Sequence, residues 1–442
     1  MTFFLFIFSL LFAFPLLAEG TESSIAADTG WTLLAGVLVM FMQAGFAMLT
    51  AGFVRSKNVS NMLMKNVLDF AIGSITFWAV GFALMFGAGN LLFGTQGFFL
   101  SDSGETFASL SWTQVPLECK YFFQLVFAAT AATIVAGALA ERTRFIAYLF
   151  YSILITAFIY PLIGHWIWGG GWLQNLGMWD FAGSTVVHST GGWLALAGAI
   201  VLGPRIGKYN QDGSSNAFPA HNMPLVALGA FILWFGWFGF NCGSTMALNT
   251  SIAHIAATTN IAAAAGGITA MLAAWTLFSK PELSMVLNGI LGGLVSITAS
   301  CAFVSIGSAI LIGALGGIFV VLAVYLIDQK LKIDDPVGAI AVHGVCGFWG
   351  TLALGLFAEE TISSGTTGNG LLFGGGLKLL GVQLLGALSV MSFCLVAGFA
   401  MFYMIKLLVG FRVKRDEELR GLDIQEHGTD AYSEFSIFPN YF

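Results

Sequence analysis

"DFAGSTVVHSTGG" (residues 180–192) and "DDPVGAIAVHGVCG" (334–347) are the two stretches from which the fold of this chain can be read. In each, an aspartate (Asp180, Asp335) stands eight residues before a histidine (His188, His343). A glycine follows each aspartate by three (Gly183, Gly338), and a valine precedes each histidine (Val187, Val342). Both stretches are otherwise strongly apolar. An ionisable side chain at membrane depth is costly, so two of them in matching positions ask for a reason.

The surrounding composition sets the class. Of 442 residues, 57% are hydrophobic and only 9% are charged, and the mean hydropathy is +0.85. A soluble domain carries roughly 25% charged residues. The chain is therefore expected to be an all-α polytopic membrane protein. The net charge of −6 comes with no basic patch, which excludes a nucleic-acid binder. The five cysteines are scattered without a CxxC pair, so neither a disulfide framework nor a zinc site is indicated. No nucleophile–base pair or metal cluster supports an enzyme, and no cofactor is expected. Residues 1–18 form a short apolar run ending in Leu16-Leu17-Ala18, the pattern of a cleaved signal peptide.

Apolar segments long enough to cross about 30 Å of hydrocarbon fall at 31–54, 67–94, 121–140, 145–166, 181–203, 223–242, 252–278, 284–304, 307–327, 336–357 and 376–409, eleven in all. With the mature N-terminus outside, 15 of the 17 Lys and Arg residues fall on the inner side, leaving only Lys120 and Lys378 outside. That asymmetry fixes the topology, with the C-terminus inside. The 31–409 region is then an eleven-helix membrane domain, and 410–442 is a charged cytoplasmic tail. Asp180 begins span five from outside, and Asp335 begins span ten from inside. Similar segments five spans apart running in opposite directions mark an inverted repeat of spans 1–5 and 6–10. Eight helical residues rise about 12 Å, so the two histidines converge near the midplane. The aspartates fit helix N-caps, with Pro336 at the favoured first position.

A histidine at depth can be a plain hydrogen-bonding link between packed helices. Two in equivalent positions favour function, because imidazole accepts a proton on one nitrogen while donating from the other. Metal binding is disfavoured by the lack of a third ligand at that depth. Three segments could converge on the outer side: "HWIWGGGWL" (165–173) ending span four with Trp168, the span holding Phe127, and "GWFGFNCGS" (236–244) with Phe240 and Ser244. Aromatic faces attract cations and a hydroxyl accepts a hydrogen bond. An interfacial aromatic belt would use the same residue types.

At these residues the sequence resembles the Amt/MEP/Rh ammonium transporter family, and the Amt branch in particular through its tail. "AGFVRSKN" (51–58), "FFQLVFAATAATIVAGALAER" (122–142), "HWIWGGGWL", "DFAGSTVVHSTGG", "GWFGFNCGS", "AVHGVCGFWG" (341–350) and "GLDIQEHGTDAY" (421–432) match in order. The resemblance implies an outer ammonium recruitment site at Trp168, Phe127 and Ser244 and a phenylalanine gate of Phe127 and Phe240. It also implies pore histidines His188 and His343, with Asp180 and Thr298 in support. Methylammonium would serve as an analogue of the substrate. A homotrimer in the plasma (inner) membrane is implied, with a PII-type signalling protein as a cytoplasmic partner. Two functions remain open beside proton-coupled conduction: an electroneutral ammonia gas channel, and an ammonium sensor working through a partner.

Overall fold

A computed structural model describes residues 21–432. The expected signal peptide and residues 433–442 lie outside the described residues. What is described is helical, with isolated bridges and no strand. Ten helices are long and apolar enough to cross a membrane: α1 (Glu22–Phe53), α2 (Ser56–Phe86), α3 (Leu117–Ala138), α4 (Phe145–Asn175), α5 (Ser184–Leu202), α6 (Met223–Gly243), α7 (Ser251–Phe278), α9 (Ile306–Lys330), α10 (Ile340–Phe357) and α11 (Leu377–Leu408). Between α7 and α9 lies a further apolar helix, α8 (Leu283–Thr298), of 16 residues.

These helices keep their backbone hydrogen bonds internal, as a lipid environment demands. Large apolar side chains such as Val67, Phe231, Leu311 and Val396 point outward. The α3 helix is the most enclosed, buried at nearly every residue from Cys119 to Ala138. Helices cross at small residues, which let backbones approach. A Cβ on Gly229 of α6 would lie 2.4 Å from Leu49 N of α1.

The second span differs from the 67–94 expected. The α2 helix starts eleven residues earlier and ends at Phe86. Its polar first half escapes a hydropathy reading because it is buried in protein rather than lipid. Lys65 is 1% exposed and donates to Thr143 O at 3.1 Å, and Asn66 and Asp69 are buried beside it. Beyond Phe86 the apolar run folds back on itself, because Asn90 Oδ1 accepts from Leu92 N and Phe93 N and Gly89 bridges to Gly94. The first helix begins before residue 31, and α8 stops at Thr298 rather than 304.

Charged loops gather at one end. Glu141 accepts from Arg55 N (2.6 Å) and Arg55 Nε (2.7 Å). Arg205 grips Asp334 through Nε (2.9 Å) and Nη2 (2.8 Å). Fully buried Arg142 donates to Asp334 O (2.7 Å), Ala140 O (2.9 Å) and Gly203 O (3.0 Å). The segments after α1, α3, α5 and α9 are thereby tied together. Burial disfavours charge on Asp334, but the Arg142 and Arg205 guanidiniums outweigh it and hold the carboxyl well below the usual range. Burial likewise opposes charge on Glu141, and Arg205 and Arg55 more than offset it, leaving that carboxyl lowered as well.

The tail docks on this basic end. It forms two short helices, α12 (Arg415–Arg420) and α13 (Leu422–His427), with Gly421 (φ 110°) as the corner between them. Glu418 accepts from Arg412 (3.0 Å) and from Ile206 N (2.7 Å). Asp423 accepts from Ser60 N (3.0 Å) and Asn61 N (2.8 Å) at the start of α2.

Candidate functional site

The site is built from the two aspartate–histidine stretches. Asp180 Oδ1 accepts from Gly183 N (2.8 Å) and Ser184 N (3.1 Å), and Oδ2 from Thr185 N (2.8 Å) and Val186 N (3.0 Å). One carboxylate thus satisfies the orphan donors that open α5. Asp335 does the same for α10, accepting from Gly338 N (3.1 Å) and Ile340 N (2.7 Å). The chain must turn between carboxylate and helix, and the glycine at +3 makes that turn, with φ 121° at Gly183 and 80° at Gly338. This corrects the expected N-cap geometry. Pro336 sits in the turn before α10 and not at its first position, and each aspartate caps its helix from several residues upstream. Both helices then open with a π turn, Ser184–Ser189 and Ile340–Val345, which carries the histidine.

The α5 and α10 helices cross antiparallel in backbone contact. Gly192 meets Gly344, Ser189 meets Gly347, and Thr185 Oγ1 lies 2.5 Å from Thr351 Oγ1. A Cβ on Gly192 would fall 2.0 Å from Gly344 N. This crossing brings the two imidazoles together, with His188 Nδ1 and His343 Nδ1 3.2 Å apart and the rings 5.2 Å apart at 25°. A contact between two Nδ1 atoms requires one to donate and the other to accept, so the neutral rings carry opposite tautomers. His188 is fully buried, and its Nε2 has no protein partner.

Above the pair stands a column of rings. Phe240 lies 5.4 Å from His188 and stacks on Phe127 at 4.0 Å and 23°. Trp168 meets Phe127 edge-on at 6.3 Å. Beyond this stack opens a cavity of about 610 Å³ whose lining includes Trp168, Phe127, Asp180 and Ser244. Trp168 is the last residue of its helical segment and is fixed by Nε1 donating to Asp180 O at 2.6 Å. Ser244 Oγ donates to Phe240 O at 2.9 Å. Below the pair lies a second cavity of about 20 Å³, lined by His343, Phe46, Thr50, Thr133, Leu233 and Val342 among others. That is room for about one water.

Of the site residues expected from the sequence, Trp168, Phe127, Ser244, Asp180, Phe240, His188 and His343 reach the wide cavity, the ring column or the histidine pair, and Thr298 does not. Thr298 sits one layer back, accepting from Trp237 Nε1 at 2.8 Å. Trp237 was missed, although it stacks on His188 at 4.9 Å and 21°. Its signal was its place three residues before Phe240, on the same helical face.

Fold and site together define a multi-pass integral membrane protein with an aromatic stack and a buried histidine pair between two cavities. The comparisons narrow that class. Residues 30–432 match the Ammonium Transporter Family. The chain is 48% identical over 426 residues to ammonium transporter Amt2 of Archaeoglobus fulgidus, covering 93% of this chain and 89% of that one. It is 38% identical over 432 residues to ammonium transporter 1 member 3 of Solanum lycopersicum, covering 91% and 92%. Among solved structures it resembles one titled Sensor Amt Protein, with TM-score 0.86 and 42% identity over 92% of this chain and 100% of that one. It also resembles Candida albicans Mep2, with TM-score 0.83 and 30% identity over 94% and 93%. The chain belongs to the ammonium transporter family, whose members are transport proteins and not enzymes.

Proposed function

We propose that this protein carries ammonium across the plasma (inner) membrane by separating it into ammonia and a proton and passing both along the histidine pair. The observation that carries the reading is the Nδ1–Nδ1 contact of 3.2 Å beneath the Phe127–Phe240 stack. Ammonium and potassium ions are close in size, so an oxygen-lined filter separates them poorly. A dry apolar passage refuses both, because an isolated ion in low dielectric costs tens of kcal/mol by Born estimates. Ammonium alone can shed a proton and enter neutral.

In this reading the Trp168 cavity faces outward and the basic end is cytoplasmic. The cation is held by the faces of Trp168 and Phe127 and by the Ser244 oxygen. When Phe240 swings aside, ammonium gives a proton to His188 Nε2. His188 passes its Nδ1 proton to His343 Nδ1, and His343 releases one from Nε2. Ammonia follows and is reprotonated below. Asp180 is a positioning residue, holding Trp168 and the start of α5. Eleven spans, an inverted repeat and a trimer with one passage per subunit belong to the same reading, and the antiparallel crossing of α5 and α10 supports the repeat. A PII-type protein would bind near the docked tail.

A sensor is the second reading, favoured by the likeness to the structure titled Sensor Amt Protein. Radiolabelled methylammonium uptake into proteoliposomes separates the two. Saturable uptake, competed by ammonium and not by potassium, is expected. A folded protein with no uptake would refute transport.

A further inference from the structure

Asp69 is a carboxyl at membrane depth that the conduction steps above do not use. It lies on α2, fully buried, and no ion pair among the described residues involves it. Hydroxyls surround it instead. Thr133 of α3 approaches its Oδ2 at 2.6 Å, Ser152, Tyr148 and Tyr151 of α4 lie near it, and the Tyr148 hydroxyl donates to Lys65 O. Lys65, one turn earlier on the same helix, is turned toward Thr143 O.

Two features of this cluster bear on proton transfer. Thr133 Oγ1 has one proton, yet it lies 2.6 Å from Asp69 Oδ2, 2.9 Å from Ala129 O and 3.0 Å from Gln43 Oε1. With the Gln43 amide turned to donate through Nε2, one proton still faces two acceptors, Asp69 Oδ2 and Ala129 O. A proton on Asp69, donated to Thr133, relieves the shortage. Moreover, Asp69 Oδ1, Ser152 Oγ and Tyr151 Oη are all buried without a hydrogen-bond partner. Buried polar atoms are normally paired, so this concentration marks a site where protons or water move. Thr133 also lines the small cavity with His343, Phe46, Leu233 and Val342.

We propose that Asp69, acting through the Thr133 hydroxyl, takes up the proton released by the histidine pair and returns it to ammonia in the small cavity. This rests on the proton-carrying reading given above. Ammonia accepts the Thr133 hydroxyl proton while Asp69 Oδ2–H reprotonates Thr133 Oγ1. One N–H bond forms, the Asp69 O–H bond breaks, ammonium leaves, and Asp69 remains as carboxylate. The next proton from His343 reloads it through Thr133 in the reverse sense.

The test measures charge and substrate together. Full-length protein in proteoliposomes is given a gradient of labelled methylammonium, and current and uptake are recorded on the same preparation. Asp69→Asn keeps the size and a hydrogen bond to Thr133 but cannot exchange a proton in this way, and Thr133→Val keeps the shape without the hydroxyl. Each is expected to lower the current about a hundredfold, the lower end of what a lost acid–base group costs, and to lower the charge moved per methylammonium. A purely structural role lowers current and uptake together, so an unchanged ratio in Asp69→Asn would overturn the proposal. Should that variant fail to fold, the ratio in Thr133→Val decides by the same criterion. A current in the unmodified protein with an unchanged ratio in the variants overturns the role of Asp69 alone. Uptake without current in the unmodified protein overturns the proton-carrying reading and this proposal with it.

Discussion

His188 sits between Phe240 at 5.4 Å and Trp237 at 4.9 Å, with His343 beside it, so three neighbouring rings fix its position. At the mouth, Trp168 lines the wide cavity with a ring oriented by its edge contact with Phe127 and one hydrogen bond to Asp180 O. A cation–π contact contributes about 0.5–2 kcal/mol, so Trp168→Leu should weaken apparent ammonium affinity about two- to thirtyfold. Concentration dependence of methylammonium uptake checks this, and an unchanged half-saturation would remove Trp168 from substrate capture. At this scale the sequence was largely legible. The eight-residue spacing picked out both histidines, and the aromatic stretches contained the stack. Trp237 was legible only as a neighbour of Phe240, three residues away on the same helical face; that its ring stacks on an imidazole from another helix was not.

The helices α5 and α10 are held at a distance set by glycine. Gly192→Ala would place a methyl 2.0 Å from Gly344 N, a backbone atom that cannot rotate away. Forced overpacking costs about 1–3 kcal/mol, and here it also separates the imidazoles. The variant should lose transport while still inserting, whereas Gly381→Ala on α11, with nothing within 4 Å of the added carbon, should transport normally. Uptake by the two variants at matched protein levels gives the comparison. Helix positions followed from hydropathy because most helices here present apolar side chains to lipid. That signal failed where the protein replaces the lipid. The start of α2 carries Lys65, Asn66 and Asp69 inward and so reads as a loop. The upstream caps and π turns were hidden for another reason. A spacing of eight fits an ordinary helix as well as a glycine-turned cap followed by a wider turn.

At the scale of the whole molecule, the Arg142–Asp334–Arg205–Glu141 cluster locks the loops of one end and gives the tail its platform. Removing one member of a buried ion pair leaves an unpaired charge and costs about 3–5 kcal/mol, so Asp334→Asn should sharply lower the unfolding temperature in detergent. Both acidic partners have depressed folded-state values, and such groups contribute stability that is present above the unfolded carboxylate range and lost as pH falls through the folded values. Unfolded Asp and Glu titrate near about 3.9 and 4.3. These two groups should therefore leave thermal stability flat from neutral pH to about 4 and withdraw it only below. A loss of stability centred near pH 6 that disappears in Asp334→Asn would contradict this. All these features serve one central claim, that a proton crosses on the histidine pair while ammonia crosses beside it. The most direct measurement is the current in proteoliposomes after a sudden ammonium gradient, in the unmodified protein and in His188→Ala and His343→Ala, with a potassium gradient as control. The expected result is a saturable current with ammonium and none with potassium, and in each variant either loss of that current or loss of discrimination against potassium. Variants that both carry ammonium current normally and still exclude potassium would contradict the claim.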